Sequence, residues 1–176
     1  MDYLEIDGIR YSRYGKKWAD PNGMIVSGIM QDKLNRKFSE TLNYEQMTSD
    51  DLIKTGDQYK ASQSLGLALK CYTKAFEKAT LYDIGGILPR LTSLYRQMGM
   101  PQNAIDILTE ASKKYGKNVI SAPLLISGAA AYCDLKNYGL AKKCCDRAFA
   151  LCGGKASGEL QAVYGRIRKE APEEVE

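Results

Sequence analysis

Three tyrosines, Tyr59, Tyr95 and Tyr132, lie 36 and 37 residues apart, and each stands in the same surrounding pattern. A leucine comes seven residues before each tyrosine, and a small residue comes three before it. Alanines follow nine and sixteen residues after it, with a further position, of varying size, thirteen after. A pattern that recurs three times without a gap is an internal repeat, which restricts the chain to stacked copies of one structural unit. The matching positions are Leu52, Gly56, Ala68, Tyr72 and Ala75 in repeat one, Leu88, Thr92, Ala104, Leu108 and Ala111 in repeat two, and Leu125, Ala129, Ala141, Cys145 and Ala148 in repeat three.

The spacing inside each repeat is helical. Leu52, Gly56 and Tyr59 are four and three residues apart, so they share one face of a helix. Ala68 and Ala75 lie on one face of a second helix, and the small residue at position 56 allows that helix to approach closely. Each repeat therefore predicts a helix, a tight turn and an antiparallel helix, and three such units bury a shared core.

This frame resembles the tetratricopeptide repeat (TPR) family over roughly residues 49–170. The resemblance implies an all-α fold, a TPR solenoid of three helix-turn-helix repeats. The family period is roughly 34 residues, so the additional residues are expected between repeats. A helical bundle with a chance pattern is the alternative.

Residues typical of helix ends mark the predicted boundaries. Thr48 is expected to cap the first helix, Pro101 to begin the second helix of repeat two, and Ser121 to cap the first helix of repeat three. Pro89 is unfavourable inside a helix. It predicts either a helix that starts late, after Gly85-Gly86, or a kink at that point.

A last helix follows the third repeat. Gly153-Gly154 ends the preceding helix, and Ser157 is expected to cap a C-terminal capping helix that runs to about residue 170. Terminal repeats need a polar outer face. Residues 171–176 are predicted to form an acidic flexible tail. The polar outer face is assigned to Arg166, Arg168, Lys169 and Glu170.

Residues 1–48 have a different character and predict a small β-meander appendage followed by a linking helix. Asp7-Gly8 between two apolar runs is a strong signal for a two-residue hairpin. The register pairs Ile6 with Ile9, and Leu4 with Tyr11, on one face. The opposite charges of residues 5 and 10 then face each other on the other side.

A second turn is expected at residues 20–23, between Lys17-Trp18 and Met24–Val26, and a linking helix over residues 29–39. A short meander is only marginally stable alone. Three interpretations stay open: a structural cap on repeat one, an exposed sheet edge or Trp18 platform that binds a partner, and disorder.

The TPR resemblance implies a concave groove lined by the first helix of each repeat. More basic than acidic residues are expected there, which favours an acidic peptide or helix held by arginine–carboxylate pairs. Asp57 departs from the subclass that grips chaperone tails, because a carboxylate at this position repels another carboxylate. The implied groove residues are Lys54, Asp57, Lys60, Arg90, Ser93, Arg96, Gln97, Ile126, Ser127, Ala130 and Cys133.

The function expected on these grounds is a non-catalytic protein-interaction module, a scaffold or adaptor. The alternative is a self-assembling structural protein, a homo-oligomer formed through the N-terminal meander or the end of the solenoid. The chain has no histidine, the commonest general base and metal ligand. No catalytic residue, no cofactor and no metal is therefore predicted.

The net charge and the cysteine positions further restrict the class of protein. A net charge of +4 without a dense basic stripe argues against a nucleic-acid partner. The five cysteines do not form a secreted disulfide framework, and packing is favoured over a zinc site for the late cluster at Cys133, Cys144, Cys145 and Cys152. With no signal peptide and no long apolar run, the protein is expected to be cytoplasmic, without a membrane partner.

Overall fold

The computed structural model describes residues 3–174, which contain eight α-helices and a small antiparallel sheet in the order β1-β2-β3. The contacts divide the chain into two compact units, an N-terminal unit Met1–Ala79 and a C-terminal unit Thr80–Glu176. The strands are β1 (Tyr3–Ile6), β2 (Ile9–Tyr14) and β3 (Lys17–Ala19). The helices are α1 (Gly28–Thr41), α2 (Ser49–Ala61), α3 (Leu65–Lys78), α4 (Ile84–Gln97), α5 (Pro101–Tyr115), α6 (Ala122–Asp134), α7 (Tyr138–Leu151) and α8 (Gly158–Glu170).

The helices of the three repeats pack as antiparallel pairs: α2 with α3, α4 with α5, and α6 with α7. The expectation of a mostly helical fold of paired helices with an N-terminal β-meander is therefore confirmed. The linking helix and the C-terminal capping helix are α1 and α8. Additional residues lie between repeats, in the segment before α4 and in a short 3-10 turn, Gly116–Val119.

The turn inside each pair has the same backbone structure. The fourth residue after each frame tyrosine, namely Gln63, Gly99 or Lys136, has a positive φ of 58–72°. The next N–H donates back to the carbonyl of the tyrosine, at 2.8–2.9 Å in all three turns. This left-handed residue with its returning hydrogen bond closes each first helix. The repeat register is thus visible in the backbone as well as in the side chains.

The pairs α4–α5 and α6–α7 differ from α2–α3 in how completely the frame positions are buried. Tyr59 and Tyr72 in repeat one are fully buried. Leu108 and Leu125, and the frame tyrosine Tyr132, are only half-buried. The alanine positions are buried in every repeat, so the helices approach closely throughout, while the larger positions leave some apolar surface open.

The N-terminal hairpin has the predicted register, with Ile6 opposite Ile9, Leu4 opposite Tyr11, and Glu5 opposite Arg10. The turn at residues 20–23 also forms, because the Asp20 carboxylate accepts the N–H groups of residues 22 and 24. The segment Met24–Val26 does not form a strand, and makes a single bridge between Ile25 and Ala19.

Trp18 anchors the sheet to α1. Its side chain is fully buried, packs edge-on against Phe38 with ring centroids 5.6 Å apart, and contacts Leu34. The indole N–H donates to Oδ1 of Asn35 at 2.8 Å. The interpretation of Trp18 as an exposed binding platform is therefore wrong, and the meander is a docked part of the N-terminal unit.

Two predicted helix ends need correction. Helix α4 begins at Ile84, before Gly85-Gly86, and contains Pro89. It starts early because Asp83 closes the preceding turn, accepting the N–H and hydroxyl of Thr80. Ser121 occupies the cap position of α6, but its side chain makes no capping hydrogen bond. By contrast, the caps predicted at Thr48 and Ser157 form.

The tail predicted to be flexible begins with a buried residue, Ala171, followed by a 3-10 turn, Pro172–Glu174. Residues 175 and 176 lie outside the described part of the chain. No helix within residues 3–174 is long and apolar enough to cross a bilayer.

Candidate functional site

Three helices of the C-terminal unit, α4, α6 and α8, line a groove of about 730 Å³, here called the α4–α6–α8 groove. Five of the residues implied by the TPR resemblance meet there: Ser93, Arg96, Ile126, Ser127 and Ala130. The other lining residues are Pro89, Pro123, Glu159, Ala162, Val163 and Arg166.

The walls of this groove are largely apolar. Ile126 and Ala130 are nearly buried and lie one helical turn apart on α6, so they present one continuous apolar strip. Val163 on α8 packs against the same core cluster as Ile126. Pro89 and Pro123 add their apolar rings to the walls, and neither residue has a backbone N–H to donate. The groove therefore presents an apolar surface against which an apolar side chain of a ligand can pack.

A four-residue ion-pair cluster lies at one end of the groove. The Asp134 carboxylate accepts Nε of Arg96 at 2.6 Å and Nη1 of Arg166 at 2.5 Å. Arg166 also donates to Glu170 and to the backbone carbonyl of Cys133. Burial alone would raise the pKa of Asp134, but hydrogen bonds from the two arginines outweigh it and lower this pKa. Hydrogen bonding to Asp134 raises the pKa of Arg166.

This cluster changes the expected electrostatics of the groove. The sequence favoured a positive middle, but Asp134 and Glu159 bring negative charge to the same helices. All three guanidinium nitrogens of Arg166 donate hydrogen bonds to protein acceptors. Arg96 uses its Nε in the ion pair, and among the described residues its two Nη groups have no partner. Arg96 is therefore the position where the groove offers charged hydrogen-bond donors to a ligand carboxylate.

Three residues implied for the groove in the C-terminal unit do not line it. Arg90 is half-buried, and its Nη1 donates to the carbonyl of Gly86 at 2.7 Å. Gln97 is exposed near the end of α4. Cys133 is fully buried in the core formed with α7 and α8, because it follows Ala129 by one turn on the inward face of α6.

The residues implied for repeat one lie on α2 in the N-terminal unit. Lys54 is exposed, and Lys60 is half-buried in the last turn. Asp57 accepts a hydrogen bond from the hydroxyl of Tyr72 at 2.6 Å. Asp57 therefore helps to fix the ring of Tyr72 between the paired helices, and its role in binding stays a prediction.

Sequence reasoning missed the α8 wall of the groove. It placed Arg166 on a polar outer face, whereas Arg166 faces α6 and pairs with Asp134. A usable signal existed: Leu160 and Ile167 have the same seven-residue spacing as the frame leucine and tyrosine, and both are fully buried. Treated as the first helix of a further repeat, α8 is expected to line the groove.

The cysteines are free thiols. Burial raises the pKa of Cys71 and of Cys145 to about 12, so both thiols are protonated at neutral pH and are poor nucleophiles. Within the described residues no group of three potential ligands is placed to hold a metal ion.

Comparison of the chain with protein families, with curated proteins and with solved structures finds no match. The structure of residues 3–174 defines the class: eight helices packed in antiparallel pairs, consistent with a helical repeat, preceded in sequence by a three-stranded sheet.

Replacement of Asp134 by asparagine is expected to lower the free energy of unfolding by about 2 kcal/mol near neutral pH, because two partly buried arginines lose their shared carboxylate. The pKa of Asp134 is lowered from 3.8 on folding. Its contribution is therefore present above that value and is lost as the pH falls through the lower folded-state pKa.

Urea unfolding of both proteins between about pH 3 and about pH 7 measures this difference. The difference should be constant from about pH 5 upward and shrink in acid. Asp106→Asn, on the exposed surface of α5, is the control. A difference that grows in acid would contradict the assignment of the ion pairs.

Proposed function

We propose that the protein is a non-catalytic interaction module that holds a peptide or helix of a partner protein in the α4–α6–α8 groove. The observation that carries this proposal is the convergence of five TPR-implied residues on one apolar-walled groove. At its end the Nη groups of Arg96 have no partner within residues 3–174. In the TPR family the first helix of each repeat lines the binding groove, and α4 and α6 are the first helices of repeats two and three.

The ligand favoured by this surface is an extended or helical segment with an apolar side chain and one carboxylate. The apolar side chain covers Ile126 and Ala130, where burial of apolar surface provides the driving force. The carboxylate is held by the Nη groups of Arg96. A strongly acidic peptide is less suited than one carboxylate, because Glu159 and Asp134 repel additional negative charge.

Ser127→Tyr is the variant that tests this proposal. Ser127 is half-buried in the groove, and within residues 3–174 its hydroxyl makes no hydrogen bond, so a tyrosine there fills the groove without breaking a hydrogen bond. Capture from cell lysate with the immobilised wild type, at low and at moderate salt, should give a partner that Ser127→Tyr loses. Asn103→Tyr, on the exposed surface of α5, is the matched control and should keep that partner.

Retention of the same partners by Ser127→Tyr would refute binding in this groove. Alanine replacement of Arg96 is a poorer test, because it leaves Asp134 with one arginine fewer and so alters stability. Arg90 is engaged with its own helix, so its replacement reports on α4 as well as on binding.

Self-assembly is the alternative, and exposed apolar side chains in the N-terminal unit favour it. Met24, Ile25 and Ile29 are 69%, 48% and 88% exposed. These residues lie within six positions of each other in the sequence, and a contiguous exposed apolar patch is typical of an interaction surface. Light scattering over a range of concentrations, with Ile29→Ser as the variant, tests this alternative. A monomer at every concentration would argue against it.

A further inference from the structure

A second cavity lies in the C-terminal unit, outside the α4–α6–α8 groove, and opens between α5, α6 and α7. Its volume is about 250 Å³. The walls are mainly apolar, and Ile105, Leu108, Leu124 and Leu125 make up much of them. None of its lining residues belongs to the groove proposed above for a partner peptide.

Small residues make up much of the rest of the lining. Leu108 on α5 faces α6, with its Cδ1 only 3.3 Å from where a Cβ of Gly128 would lie. Gly128 itself has no side chain, and Thr109, Ser112 and Cys144 are the other small residues at the cavity. Protein interiors are normally close-packed, so an open apolar space of this size is suited to a ligand.

The charge beside the cavity indicates what kind of ligand fits. Arg147 on α7 is the only charged residue among the described lining residues. Arg147 is an exposed residue, and its side chain has no hydrogen-bond or ion-pair partner within the described part of the chain. The neighbouring Cys144 is neutral at physiological pH, because burial raises the pKa of its thiol and Arg147 offsets this only in part.

We propose that this cavity binds a small apolar carboxylate, with its hydrocarbon part between α5 and α6 and its carboxylate on Arg147. A cavity of about 150 Å³ lined by apolar side chains accepts benzene, so this larger cavity has room for a medium-length aliphatic chain or a substituted ring. The planar guanidinium binds a carboxylate through two parallel hydrogen bonds, which a neutral alcohol does not provide.

Calorimetric titration of the wild type with octanoate and with 1-octanol tests the role of charge. Both are expected to bind at one saturable site, with octanoate binding more tightly. Arg147→Gln should weaken octanoate about fivefold, which is the loss of one partly exposed ion pair, and leave 1-octanol unchanged. Lys143→Gln, an exposed basic residue on the same helix, is the matched control and should bind both ligands as the wild type does.

Two variants test the location. Leu108→Tyr introduces the residue of repeat one and should weaken both ligands at least about tenfold, because it fills the cavity. Thr109→Trp places a large ring at an exposed lining position of the cavity, and it is the test of location if Leu108→Tyr does not fold. Its control is Asn103→Trp, also exposed on α5.

Several outcomes would overturn the proposal. The first is absence of saturable octanoate binding to the wild type. The second is equal affinity for octanoate and 1-octanol, and the third is unchanged octanoate binding in Arg147→Gln or in both cavity-filling variants. Ser127→Tyr should leave octanoate binding intact, so this test is independent of the groove proposed for a partner protein.

Discussion

Replacement of Gly56 by alanine is expected to lower the free energy of unfolding by about 3 kcal/mol, as overpacking does in a closely packed core. A Cβ at position 56 would lie 2.5 Å from Cε1 and 2.7 Å from Cδ1 of Tyr72. The ring has little freedom to move away, because Tyr72 is fully buried and its hydroxyl is bound to Asp57 at 2.6 Å. Helices α2 and α3 would therefore have to separate.

Urea unfolding followed by circular dichroism measures this loss. Gly66→Ala is the matched control, because a Cβ at position 66 on α3 meets no atom within 4 Å. There the higher helix propensity of alanine should make the change neutral or stabilising by about 0.5–1 kcal/mol. Equal stabilities of Gly56→Ala and the wild type would show that α2 and α3 are not in the described contact.

A double variant tests the cause of the loss. Tyr72→Leu combined with Gly56→Ala removes the ring that the new Cβ at position 56 would meet. The two changes should be less than additive, because the smaller leucine relieves the clash at position 56. Additive effects would mean that Gly56 is required for a reason other than the ring of Tyr72.

Replacement of Asn35 by alanine is expected to lower the free energy of unfolding by about 3 kcal/mol. The reason is that one buried donor is left unpaired and the neighbouring hydrogen bonds are lost. Asn35 is fully enclosed and joins three parts of the N-terminal unit. Its Oδ1 accepts the indole N–H of Trp18, and its Nδ2 donates to the hydroxyls of Ser62 and Ser64 at 2.7 and 3.0 Å. The β-meander, α1 and the turn between α2 and α3 therefore share one amide.

Fluorescence and circular dichroism together measure this prediction. Trp18 is the single tryptophan of the chain, so its fluorescence reports the docking of the meander, while circular dichroism reports the helices. The fluorescence transition of Asn35→Ala should move to lower urea and precede the loss of helix. Asn103→Ala, at an exposed position, should leave both transitions unchanged. Coincident, unshifted transitions in Asn35→Ala would contradict the role of this network.

The local features of the fold could be predicted because neighbouring residues determine them. The two-residue turn at Asp7-Gly8 sets the hairpin register, and side-chain caps such as Thr48 and Ser157 set helix starts. The left-handed turn position has a glycine only in repeat two, where it is Gly99. Gln63 and Lys136 adopt the same conformation without a glycine, because the pairing of the helices stabilises that strained backbone.

The candidate site was predictable only in part. The TPR resemblance implied Ser93 and Arg96 on α4, and Ser127 and Ala130 on α6, as groove residues, and these four line the α4–α6–α8 groove. The face of α6 that contains Cys133 was assigned incorrectly to the groove, because the rotation of a helix that is apolar on most sides depends on its neighbours.

The repeat frame thus determined by itself which segments are helices, how they pair, and which small residues allow close approach, because these depend on spacing along the chain. The tertiary structure alone decided that Asp134 joins Arg96 and Arg166, residues 38 and 32 positions away, and that Trp18 is buried against α1. It also decided that α5, α6 and α7 enclose a cavity lined by Leu108 and Arg147. Each of these depends on side chains distant in sequence that meet only after the helices have packed, and no local pattern encodes such contacts.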